Sequence, residues 1–173
     1  VWRSILTEFL PVGERRIAVE RRTGRAPGLI WLGGFRSDMT GSKAVAVDRF
    51  GAEHGLAVTR FDYSGHGQTG GDFNLGNISR WLEESLAVFD TTNGPQIVIG
   101  SSMGGWLALL LIRELRRRGA SRVIGLVLIA PATDMTELMQ TQMTKKQRNL
   151  LLKQGFVEEP SDYSPDPYRI NLS

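Results

Sequence analysis

The stretch Gln96-Ile97-Val98-Ile99-Gly100-Ser101-Ser102-Met103-Gly104-Gly105-Trp106 decides how the rest of the chain reads. An apolar, β-branched run enters a cluster of small residues, and the Leu/Ala-rich run Leu107 to Leu111 leaves it. That order is strand, sharp turn, helix. Gly100, Ser102 and Gly104 make a G-x-S-x-G frame, in which a serine sits on a strained strand-to-helix bend with its hydroxyl exposed. Side chains two residues to either side would collide in so tight a bend, so glycine is needed at both. The adjacent Ser101 fails this requirement, because its flanking positions are Ile99 and Met103. Ser102 is therefore the candidate nucleophile. The plainer alternative is a glycine-rich turn without chemistry, and the correct flanking elements weigh against it.

Outward from this bend, strands and helices alternate. Upstream, Trp81, Leu82, Ser85, Leu86, Val88 and Phe89 mark an amphipathic helix begun near Asn77 or Ser79 and ended before Asn93-Gly94-Pro95. A glycine-rich loop from Asp62 to about Gly76 precedes it, after a strand over Leu56 to Phe61. Ser42 to His54 has helical apolar spacing, and Gly55 stands where a left-handed cap belongs. Gly28 to Leu32 is a short apolar run, as expected of a strand covered on both faces, and it stops at Gly33-Gly34-Phe35. Ile17 to Arg22 alternates and predicts a strand exposed on one face, with Val1 to Leu6 as its partner and a turn ending at Gly28. Downstream, a helix runs to about Arg118, and Val123 to Ala130 is another apolar strand closed by Pro131.

The pattern predicts an α/β fold: a mainly parallel sheet with helices on both faces, entered by an antiparallel N-terminal portion. Residues 1–132 form this core. Residues 133–173 differ in character, with two short polar helices around Leu138, Met139 and Met143, then Leu150, Leu151 and Leu152. Such a stripe either packs or lines the underside of a lid. Pro160, Pro165 and Pro167 are expected to break up the remaining tail.

Composition narrows the function classes. Hydrophobic content of 41% and charged content of 23% over 173 residues suit one globular domain. The net charge is only +3, and the arginine cluster Arg113, Arg116, Arg117 and Arg118 lies at a helix end, where cations complement the free carbonyls. No aromatic residues interleave with it, so a nucleic-acid partner is not expected. The absence of cysteine excludes disulfides, thiolate catalysis and cysteine-ligated metal. No apolar run is long enough for a membrane span, and no signal-peptide plan opens the sequence, so an intracellular setting is the default expectation. The chain opens at Val1 without methionine, which hints at a trimmed left edge.

A second motif competes. Gly65-His66-Gly67-Gln68-Thr69-Gly70 fits G-x-G-x-x-G after a strand, with Asp90 twenty residues past Gly70. Dinucleotide binding needs a helix to begin inside the glycine turn, so that free N–H groups meet the pyrophosphate. Here Gly71, Asp72, Asn74 and Gly76 intervene, and Asp90 ends a helix where a ribose-binding acid should end a strand. No cofactor is expected.

Taken together, the Ser102 bend, Gly33-Gly34-Phe35 and Phe61-Asp62-Tyr63-Ser64-Gly65-His66-Gly67 resemble the α/β-hydrolase superfamily. Gly34 to Ala44, Arg60 to Gly65 and Pro95 to Trp106 are similar, more narrowly, to the branch containing the mitochondrial palmitoyl-protein thioesterase/acyl-glucuronide esterase and its bacterial relatives. The resemblance implies a serine esterase or thioesterase that acts on a small acyl ester or thioester through an acyl-Ser102 intermediate. It also implies an oxyanion hole from the backbone N–H groups of Met103 and Phe35, and a structural role for His66.

The departure from that pattern is equally informative. In this superfamily the acid and the histidine follow the serine, yet the only histidines, His54 and His66, precede Ser102. His54 reads as an exposed helix-end residue, and His66 lies on the wrong loop. Asp134 stands at an alternative acid position, but an acid without histidine is not a triad, and serine without a base is a poor nucleophile. The expectation is a C-terminally truncated chain, stopping in a cap segment before the last strands, with a sheet edge and apolar surface left uncovered. Such a chain would be inactive alone. The alternatives are a non-catalytic binding protein on this fold, or a carbon–carbon bond hydrolase or lyase.

Overall fold

A six-stranded sheet in the order β1-β2-β4-β3-β5-β6 organises the first part of the chain. The computed structural model describes residues 6–119, 122–160 and 167–171. β1 (Thr7–Val12), β2 (Arg15–Arg22) and β4 (Leu56–Phe61) pair antiparallel, whereas β3 (Arg25–Leu32), β5 (Gln96–Ser101) and β6 (Val123–Ile129) continue from β4 in parallel. Three helices lie between the parallel strands: α1 (Ser42–His54), α2 (Ile78–Asp90) and α3 (Met103–Arg117). This is the mainly parallel α/β architecture predicted from the alternation.

The alternation of side chains along β3 and β5 divides the core between the two faces. Leu29, Trp31 and Ile99 pack with Ala44 of α1 and Val58 of β4. Ile30, Leu32 and Val98 pack with Trp81, Val88 and Phe89 of α2 and with Leu107, Leu111 and Leu115 of α3. The last three recur every four residues, form one buried stripe and are 2% exposed or less. Truncating any of them to alanine should cost about 2–5 kcal/mol.

Local signals set the helix ends. Gly55 adopts φ 65° after α1 and returns its N–H to the carbonyls of Ala52 and Gly51, as a left-handed cap does. Asn77 caps α2 by accepting the Arg80 N–H at 2.9 Å.

Several expectations are corrected. The partner of β2 is Thr7–Val12, and residues 1–5 lie outside the described residues. β2 is not exposed on one face, because Ile17, Ala18 and Val19 are all fully buried. The helices cover one side of it, and Thr69 from the glycine-rich loop covers part of the other, its hydroxyl accepting the Ala18 N–H at 2.8 Å. The turn expected to end at Gly28 is already strand from Arg25.

The chain divides into two units, Val1–Thr133 and Asp134–Ser173. In the second, α4 (Met135–Gln142) and α5 (Lys145–Gln154) precede β7 (Phe156–Glu159), which pairs antiparallel with β8 (Tyr168–Asn171). The expected irregular tail is therefore partly a strand pair, and Pro165 lies outside the described residues. Met143, Leu151 and Val157 bury themselves together, whereas Leu138 and Leu152 are exposed. α5 carries a capping box between Thr144 and Gln147.

Among the described residues β6 is the outer strand beside β5, and its Ile124 is 64% exposed, with Leu126 and Val127 also exposed.

Candidate active site

Ser102 stands at the end of β5 and immediately before α3, in a turn with φ 53° and ψ −119°. An L-residue adopts such a conformation only under restraint, and here the restraints are backbone hydrogen bonds. The Ser102 N–H donates to the Ile129 carbonyl at 2.9 Å, and its own carbonyl accepts from Gly105 at 2.9 Å, Trp106 at 3.3 Å and Ala132 at 3.1 Å. Both arms of the bend are thus tied to the end of β6 and the first turn of α3. Ser101, by contrast, is buried within β5.

The glycines flanking the bend are there for want of space. A Cβ on Gly100 would sit 2.3 Å from the Gly104 carbonyl oxygen, and one on Gly104 would sit 2.1 Å from the Leu32 carbonyl oxygen and 2.5 Å from that of Gly33. The frame read from sequence therefore does two jobs: Gly100 lets the helix fold back over the strand, and Gly104 lets α3 lie directly on the end of β3.

That close approach brings the β3 loop to Ser102. A Cβ built on Gly34 would lie 3.5 Å from Ser102 Cβ, so Gly33-Gly34-Phe35 runs beside the bend. Met103 is fully buried and occupies the first position of α3, where its N–H has no carbonyl within the helix to bond. Ser102 is half-buried, and its side chain makes no capping hydrogen bond.

Neither histidine serves Ser102. His54 is exposed at the end of α1, stacked on Phe50 at 4.0 Å, with Nδ1 against the Phe50 carbonyl. His66 is 4% exposed, and the Arg36 N–H donates to its Nε2 at 3.2 Å. Nδ1 therefore carries the proton and faces the Ser64 carbonyl at 3.2 Å. Burial pushes His66 below the ordinary histidine value, the Ser64 carbonyl opposes the shift, and the Arg36 charge adds to it. A neutral imidazole whose lone pair already accepts a backbone N–H has no free site for a second proton. Asp134 is exposed, at the cap position of α4.

Sequence reasoning missed what holds the loops. Asp62, 1% exposed, accepts the Met39 N–H at 2.6 Å and the Gln68 N–H at 2.8 Å, while Arg60 Nη1 donates to the Met39 carbonyl at 2.6 Å. Burial raises the Asp62 carboxyl above its usual range, against the pull of those two N–H groups. Glu84, fully buried on α2, accepts the Ser64 N–H at 2.9 Å and pairs with Arg15 at 2.6 Å. An acid in the middle of an apolar helix stripe was the available signal for Glu84. The competing glycine motif has no helix to offer a phosphate, since α2 begins only at Ile78, and Asp90 is exposed at its far end.

The Hydrolase_4 family model, described as serine aminopeptidase S33, matches residues 36–164. The chain belongs to this α/β-hydrolase family. It is 35% identical over 159 residues to the mitochondrial palmitoyl-protein thioesterase ABHD10 of Bos taurus, covering 91% of this chain and 51% of that protein. Against the human protein of the same name the identity is 33% over 151 residues, covering 87% and 48%. This hydrolase chain thus spans about half the length of the curated relatives it matches. Among solved structures, a protein from Agrobacterium vitis S4 described as a hydrolase superposes with a TM-score of 0.91 at 47% identity, covering 98% of this chain and 69% of that one. Mouse alpha/beta hydrolase domain-containing protein 10 gives 0.80 at 34% identity, covering 96% and 66%. No helix among the described residues is long and apolar enough to cross a membrane.

Proposed function

We propose that this chain carries the nucleophile and oxyanion half of a serine carboxylesterase or acyl-thioesterase. Ser102 Oγ attacks the acyl carbonyl carbon, and the N–H groups of Met103 and Phe35 hold the negative oxygen that develops. A base takes the hydroxyl proton and passes it to the departing alcohol or thiol. Water then releases the acyl group from Ser102. The histidine base and the acid belong to sequence outside these 173 residues, and residues 133–173 are the start of a cap segment. A small acyl ester or thioester is the substrate class, in keeping with the thioesterase names of the relatives, and the setting is the mitochondrial matrix or a bacterial cytoplasm.

The observation that carries this reading is the strained backbone of Ser102, held between a strand end and a helix start with the Gly34 loop against it. Two aimed donors are the largest electrostatic contribution to acyl transfer, and losing one typically lowers the rate about 100- to 1,000-fold.

A fluorophosphonate probe tests the proposal. The protein that includes the missing base should be labelled at Ser102 and lose the label in Ser102→Ala; an unlabelled wild type refutes the assignment. The 173-residue chain alone should turn over p-nitrophenyl esters no faster than its Ser102→Ala variant. Ser102-dependent turnover by that chain would overturn the placement of the base outside it. A non-catalytic binding role is the second reading, favoured by the engagement of both histidines elsewhere. It predicts an unlabelled serine in every form of the protein.

A further inference from the structure

The unit Asp134–Ser173 carries a helix face that its own core leaves unused. α5 reads Lys145-Lys146-Gln147-Arg148-Asn149-Leu150-Leu151-Leu152-Lys153-Gln154 and buries one side chain, Leu151, against Met143 and Val157. Residues three, four and seven apart share a helix face, so Lys145, Arg148 and Leu152 form one outward stripe. Leu152 is 76% exposed, and Asn149 and Lys153 beside it are exposed too. A groove of about 470 Å³ opens between α5 and β7, with Lys146, Leu150, Phe156 and Glu158 among the residues that line it.

The four cations of α5 are uncompensated. Lys145, Lys146, Arg148 and Lys153 are exposed and meet no carboxylate among the described residues. Glu158, the acid bordering the groove, is taken by Arg169 at 3.0 Å. Lys145 and Lys146 occupy the first turn of the helix, where its partial positive charge disfavours cations, and no acid accompanies them. Local stability alone would place carboxylates there. The arginines ending α3 differ on both counts: that end of a helix favours cations, and Arg117 and Arg118 hold Glu114 and Asp90.

Such a face matches a fluid layer of anions over hydrocarbon. Basic residues around an outward leucine are the composition of a helix that lies in the plane of a membrane surface. The long stems reach phosphates while the leucine enters the acyl boundary. Lys145, Lys146 and Lys153 present rotating ammonium groups, not planar forks, so they select no fixed pattern of carboxylates on a folded partner.

We propose that the outward face of α5 docks on a bilayer rich in anionic lipid, with Lys145, Lys146, Arg148 and Lys153 on the headgroup phosphates and Leu152 among the acyl chains. The contact asks nothing of Ser102, and Ser102→Ala should bind as the wild type does.

Sedimentation with vesicles tests the proposal on the 173-residue chain. Phosphatidylcholine vesicles with about one-third phosphatidylglycerol should bind it at least about 100-fold more strongly than pure phosphatidylcholine, since each cation near an anionic surface contributes about fivefold. Raising the salt from about 0.1 M to about 0.5 M should remove most of that preference. Lys145→Gln with Lys146→Gln should weaken binding about 25-fold, and it relieves repulsion in the first turn, so the helix is retained. Arg113→Gln with Arg116→Gln removes the same charge from α3 and should stay within about threefold of wild type. Leu152→Ala should cost about five- to tenfold, as for a side chain inserted about halfway. Equal binding to the two vesicle types, or equal losses in the two double variants, overturns the assignment. An unchanged Leu152→Ala overturns insertion of the leucine. Retention on polyglutamate without vesicle binding gives the face to an acidic protein and overturns the bilayer.

Discussion

Replacing Ser102 by glycine should make the protein more stable than replacing it by alanine. At φ 53° and ψ −119° the residue lies in backbone space that an L-side chain rarely enters, and such strain is worth about 1–3 kcal/mol. Glycine removes it, because without a Cβ the position is ordinary. Against that, glycine gains freedom in the unfolded chain, which costs about 0.5–1 kcal/mol. A mid-range strain of about 2 kcal/mol less an entropy cost of about 0.8 leaves Ser102→Gly roughly 1 kcal/mol more stable than Ser102→Ala. Alanine is the proper reference because the half-buried Ser102 side chain makes no capping hydrogen bond. Its removal should therefore shift stability by no more than about 0.5 kcal/mol.

Urea unfolding followed by tryptophan fluorescence is a suitable assay, since Trp2, Trp31, Trp81 and Trp106 all fall within Val1–Thr133. The expected difference of about 1 kcal/mol corresponds to a rise of about 2–4 °C in Tm for a chain of this size. Equal slopes are required for the comparison to be read as stability. If Ser102→Gly proves equal to or weaker than Ser102→Ala, the bend stores no strain, and the argument from residue 102 as a restrained nucleophile loses its physical basis.

Three further outcomes follow from particular contacts. Gly104→Ala places a methyl 2.1 Å from the Leu32 carbonyl oxygen, and backbone cannot turn aside, so a loss of about 3 kcal/mol is expected in the same urea assay; a loss below about 1 would mean α3 lifts freely off β3. Glu84→Ala strands the buried Ser64 N–H and leaves the Arg15 guanidinium with Glu83 as its remaining carboxylate, at about 1–3 kcal/mol, and an unchanged unfolding midpoint would refute that accounting. His66 binds protons less readily in the fold than in the unfolded chain. Its contribution to stability is therefore intact above about pH 6.5, the ordinary histidine value, and is lost as the pH falls through that value toward the folded one. Thermal melts should show His66→Gln flattening this acid decline, and an identical profile in wild type and variant would contradict the burial argument.

The local patterns that sequence can carry were sufficient for the architecture. Helical and strand periodicity act over a few neighbours, so α1, α2, α3 and β3 to β6 appear near their expected bounds. The Gly100-x-Ser102-x-Gly104 frame likewise announces its own bend, because glycine at two fixed offsets is a steric requirement written in the chain. Reading Ile17 to Arg22 as one-sided failed for the opposite reason: whether a strand is covered depends on a loop far along the chain, here the one carrying Thr69.

The same division runs through the candidate site. The glycine frame picks out Ser102, and the resemblance to the α/β-hydrolase superfamily picks out Met103 and Phe35. Which group His66 holds could not be read from either, because its role depends on which backbone N–H a distant turn brings within 3.2 Å of its Nε2. No local pattern marks Arg36 for a positive φ, since arginine has no intrinsic preference for one; the packed histidine and the Phe73 ring favour that conformation. Composition and spacing thus settled the layers of the fold and the identity of the bend, while long-range contacts alone decided how the loops beside it are held.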